Sequence, residues 1–71
     1  MERIVKYDKN MKVLNSYDAN MENFKLLSSI VFPKSRHKGT VYLANVLRQR
    51  FLQNSKIETK KYFFVMEDSI V

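Results

Sequence analysis

The 71-residue chain has no cysteine, no tryptophan, one glycine, one proline and one histidine. Each shortage closes something off. Without cysteine there are no disulfides and no thiolate metal sites, so a chain this short holds together by its core or through a partner. One histidine, His37, cannot build a histidine-rich metal site, and no metal or cofactor is expected. The longest apolar run is YFFVM, five residues at 62–66, where a membrane span needs about 20. The opening MERIVKYDKN lacks the apolar core of a signal peptide. The expectation is one small soluble domain over 1–71, cytoplasmic, with no membrane partner and a loose tail at 67–71.

Acidic residues are missing from one long stretch: none occurs between Glu22 and Glu58. Nothing there could orient His37 as a base, and Ser28, Ser29 and Ser35 have no histidine–aspartate companions. With no paired carboxylates, no nucleophile–base pair and no ligand set, the chain is not expected to be an enzyme. The same gap segregates charge. Net charge is +6, yet residues 1–22 hold four basic and four acidic residues, and 58–71 hold two and three. Residues 23–57 carry seven basic residues and no acid: Lys25, Lys34, Arg36, Lys38, Arg48, Arg50 and Lys56. Segregated positive charge suits a polyanion, whose phosphates supply most of such an affinity. A solvated basic face without a partner would have the same composition.

What is present reads as β-β-α-α-β. Residues 3–17 alternate as a hairpin, with Val5, Tyr7, Met11 and Val13 on one apolar face and a turn at Asp8, Lys9 and Asn10, where Asn10 tolerates the left-handed conformation. Asp18 or Asn20 caps a first helix over 20–31, striped by Met21, Phe24, Leu27 and Val31 and stopped by Pro33. A basic loop, 34–39, follows. A second helix spans 40–53, with Thr40 able to cap its first turn and Leu43, Val46, Leu47 and Phe51 on its buried side. Residues 56–66 read as one strand, apolar on both sides through YFFVM. Two helices across a tight basic turn resemble a helix-turn-helix. The fold class is α+β, with the last strand pairing with the hairpin in a winged or ribbon-backed packing.

The candidate site is the central segment. Lys34, Arg36, His37, Lys38 and Thr40, with the first amides of the second helix, favour phosphate. Tyr42, Asn45 and Gln49, with Arg48 beside them, suit base edges: asparagine and glutamine pair with adenine, arginine with guanine. Any helix has a polar face, so this set alone is not a groove reader. Arg50 suits a phosphate or an ion-pair partner, and Lys25 and Lys56 complete the basic set. The aromatic residues could stack on single-stranded bases, although a small core needs most of them. YFFVM could also pair with a second copy, giving a homodimer.

The segments IVKYDKNMKVLNSYDA and KKYFFVMED resemble the opening hairpin and closing strand of the small modular DNA-binding repeats attached to homing endonucleases and found in phage proteins. The matching positions are Tyr7, Asp8, Asn10, Tyr62 and Phe64, and the resemblance covers about a third of the chain. It implies DNA binding through the second helix. The middle of the chain departs from that pattern: it is longer, turns through FPKSRHKG, and lacks the alanine pair in the first helix. The leading expectation is a basic nucleic-acid-binding protein, with duplex DNA favoured, acting as a transcription regulator or accessory factor. A phage-type modulator that binds and inhibits a host protein, or an RNA-binding protein, are the alternatives.

Overall fold

The structure is a computed structural model and describes residues 2–68. The chain runs β1 (Glu2–Tyr7), β2 (Val13–Asp18), α1 (Met21–Val31), a 3-10 segment (Pro33–Lys38), α2 (Thr40–Gln53), β3 (Lys56–Glu58) and β4 (Phe63–Asp68). The strands form one antiparallel sheet in the order β2-β1-β4-β3. The fold is thus α+β, and the C-terminal strand pairs with the hairpin: β1 sits between β2 and β4.

The C-terminal run is two strands, not the single strand expected over 56–66. It folds back at Thr59, where the backbone N–H donates to the Tyr62 carbonyl at 2.8 Å and the hydroxyl accepts from the Tyr62 N–H at 3.1 Å. The added strand covers part of the edge through which YFFVM was expected to pair with a second copy. β1 pairs with β4 along its length and β3 pairs with it at Phe63–Val65, so those residues present no free strand edge to a second copy. Glu67 and Asp68 extend β4 opposite Arg3 and Glu2 rather than beginning a loose tail, and the rest of that tail, 69–71, lies outside the described residues.

Ile4, Phe24, Leu27, Ala44, Leu47, Phe51, Ile57 and Phe64 form the core between the sheet and the helices. Alternation then fixes what each strand residue faces. Ile4 is fully buried, whereas Val5 and Tyr7 are half-buried on the opposite side of the sheet. Val13 lies across from Tyr7 on that open side and is 57% exposed, and Met11 is 53% exposed in the turn. The set Val5, Tyr7, Met11 and Val13 is therefore not the core face. β1 carries β-branched residues at both parities, Ile4 and Val5, and the helices settle which parity is covered.

The turns differ from expectation for local reasons. The Asp8 carboxylate accepts from the N–H groups of Asn10 and Lys12, both at 2.9 Å, which carries the left-handed residue past Asn10 to Met11 (φ 65°). Asn20 does cap α1, accepting from the Asn23 N–H at 2.9 Å, and the helix ends at Phe32, before Pro33. The basic connection is a 3-10 segment kinked at Ser35, not an irregular loop. Gly39 rather than Thr40 occupies the cap position of α2, with no side-chain cap hydrogen bond, and Thr40 is the first helical residue. Gly39 has φ 89° and ψ 146°, close to a region that side-chain-bearing residues avoid. A Cβ there meets nothing within 4 Å, so Gly39→Ala acts through backbone strain alone. It is expected to destabilise by about 1–3 kcal/mol, seen as a lower urea midpoint at unchanged slope. An unchanged midpoint would contradict this reading of the turn.

Candidate nucleic-acid interface

At 100° per residue, α2 separates its side chains cleanly. Leu43, Ala44, Leu47 and Phe51 are buried, and Val46 is only half-buried at the edge of that arc. Ala44, which the expected stripe omitted, joins the buried side in place of Val46. The opposite arc carries Val41, Tyr42, Asn45, Arg48, Gln49 and Leu52, all exposed. Tyr42, Asn45 and Gln49 therefore do share the outward face. The Asn45 amide donates to the Val41 carbonyl at 3.1 Å, a bond it would exchange for one to a base.

The 3-10 segment delivers Lys34, His37 and Lys38 to the surface immediately before α2, with Thr40 also exposed, and Arg36 belongs to the same segment. With no side chain capping α2, the first amides of that helix have no side-chain acceptor.

Other members of the expected set are placed elsewhere. The Arg50 guanidinium lies 5.0 Å from the Phe32 ring, bracing the end of α1 from the last turn of α2. The Lys56 ammonium lies 4.2 Å from the Phe63 ring. Because its neighbour Ile57 is in the core, Lys56 is on the sheet face away from the helices. Arg48 sits at the flank of the outward arc, beside a hollow of about 330 Å³ that it shares with Glu2 and Leu52. Lys25 is exposed on α1.

The sequence reading missed Lys60 and Lys61. They lie in the β3–β4 turn and share with Lys34 the wall of a hollow of about 760 Å³. The stretch has no glycine, proline or asparagine to mark a turn, and reading 56–66 as one strand left both lysines out of the basic set.

Three acidic side chains of the sheet are engaged within the chain. Arg3 pairs with Asp18, Lys9 with Glu58 at 2.9 Å, and the Tyr7 hydroxyl donates to Glu67 at 2.6 Å. The hydrogen bond and charge of Lys9 hold the Glu58 carboxyl below its ordinary pKa. The hydrogen bond to Glu67 raises that of Tyr7. Among the described residues no group of three or more histidine, cysteine or acidic side chains could hold a metal ion. No described helix is long and apolar enough to cross a membrane. No family model matches the chain, and neither the curated proteins nor the solved structures contain a significant match to it.

Proposed function

We propose that this chain is a small cytoplasmic DNA-binding protein, a regulator or accessory factor. In this reading Lys34, Arg36, His37, Lys38 and Thr40 hold backbone phosphates, and the outward face of α2 enters a groove of the duplex. The observation that carries it is the convergence of two features: the exposed row Tyr42, Asn45 and Gln49, and the exposed basic segment directly preceding it. On the sheet face away from the helices, Asp18, Glu58 and Glu67 are engaged by Arg3, Lys9 and the Tyr7 hydroxyl, so the basic segment before α2 is the larger concentration of charge open to a polyanion. The resemblance of the hairpin and closing strand to modular DNA-binding repeats points the same way.

One observation favours a second reading. Val41, Tyr42 and Leu52 are 55%, 56% and 64% exposed on the outward face of α2, and apolar side chains of this kind suit a protein surface. A modulator docking on a host protein would use them. Affinity for random-sequence duplex DNA measured across a salt series tests the first reading, with RNA in parallel. Capture of one defined protein from nuclease-treated lysate, without duplex binding, supports the second.

A further inference from the structure

We infer that the β3–β4 turn is a second phosphate-contacting element, and that the hollow between it and the 3-10 segment seats one sugar–phosphate strand. This rests on the duplex-binding reading and extends its footprint to Lys60 and Lys61, which lie outside the central basic segment. The hollow, about 760 Å³, is lined by Lys34 from the 3-10 segment and by Lys60 and Lys61 from the turn, together with the apolar residues Ile30 and Pro33 and the Tyr62 ring. Its one acid, Glu58, is engaged by the Lys9 ammonium at 2.9 Å. Three lysines thus face a cleft whose only carboxylate is already matched, and the occupant they suit is anionic.

The lining narrows the class further. A sugar–phosphate strand alternates charged phosphates with apolar sugar edges, and the lining of this hollow combines three lysines with apolar side chains. A free phosphate would leave the apolar lining unused. The presentation is also firm. Thr59 and Tyr62 close the turn through bonds of 2.8, 3.1 and 3.2 Å, and Lys9 donates to the Thr59 carbonyl at 2.6 Å. The Tyr62 ring has the Lys6 ammonium 4.0 Å from its centroid and meets Phe64 edge-on at 6.4 Å. Lysines on a braced turn lose less freedom when they bind than lysines on a loose one.

The test is the full chain carrying Lys60→Gln and Lys61→Gln, titrated with a random-sequence duplex at several salt concentrations. Each phosphate contact contributes about 0.9 to the slope of log affinity against log salt, so the slope is expected to become shallower by about 1.8, with roughly fiftyfold weaker binding near 0.1 M salt. Both positions are exposed, and an unchanged circular-dichroism spectrum and melting temperature verify that the fold is kept. A second readout follows the Ile30 methyl and Tyr62 ring signals by NMR, which are expected to shift with duplex and not with polyglutamate. If wild type binds duplex and the variant keeps its slope, this inference fails while the duplex-binding reading stands. If wild type binds no duplex, both fail. Signals that move with polyglutamate but not with duplex would make the occupant an acidic polypeptide and overturn the assignment.

Discussion

Phe64→Ala is expected to leave the chain unfolded at room temperature, and Phe63→Ala to leave it folded. The two rings are adjacent in β4 and identical in chemistry, and they face opposite ways. Phe64 is the largest fully buried side chain, packed in the core with Ile4, Leu27, Leu47 and Ile57. Truncating such a ring costs about 3–5 kcal/mol. A core of this size rarely supplies more than about 3–5 kcal/mol in total, and no disulfide reinforces it. Phe63 is half-buried on the open side of the sheet, with the ammonium groups of Lys9 and Lys56 each 4.2 Å from its ring. Its loss removes partial burial and two cation–π contacts of about 0.5–1 kcal/mol each, which lowers stability without exhausting it. Far-UV circular dichroism and urea titration separate the outcomes. Equal losses from the two substitutions would mean that the strand faces are assigned wrongly.

Neutralising the basic segment as Lys34→Gln, Arg36→Gln and Lys38→Gln is expected to produce the largest functional loss. If all three contact phosphates, the salt slope for duplex DNA falls by about 2.7, and affinity near 0.1 M salt drops several hundredfold. Lys34 and Lys38 are exposed, so their part of the loss comes from binding and not from folding. Fluorescence-anisotropy titrations at several salt concentrations read both quantities. A variant with the wild-type slope would move the phosphate contacts off this segment.

The helices were legible in the sequence because their signals are local. Asn20 and Pro33 bracket α1, and Gly39 precedes α2, whose stripe of Leu43, Leu47 and Phe51 gives its buried side. What failed was information that tertiary structure alone supplies. With Ile4 and Val5 adjacent, β1 cannot announce which side the helices will cover. The stretch Thr59, Lys60, Lys61 and Tyr62 holds neither glycine nor proline, so a turn fixed by a threonine hydroxyl reads as continuing strand. The candidate site was legible in part. Helical periodicity places Tyr42, Asn45 and Gln49 on one outward face. Arg50 and Lys56 could not be separated from the basic set until the rings of Phe32 and Phe63 were placed beneath them. Lys60 and Lys61 join Lys34 only through the fold, which brings the turn and the end of α1 to one hollow.

The most direct measurement is the affinity of the unmodified chain for random-sequence duplex DNA from about 50 to 200 mM salt, with single-stranded DNA and RNA in parallel. Binding that is measurable at low salt, strongest for the duplex, and weakens by about three orders of magnitude or more across that range is the expected result for six or more phosphate contacts. No duplex binding at the lowest salt, or an affinity that salt does not change, would contradict the assignment of α2 and the basic segment before it to a nucleic-acid interface.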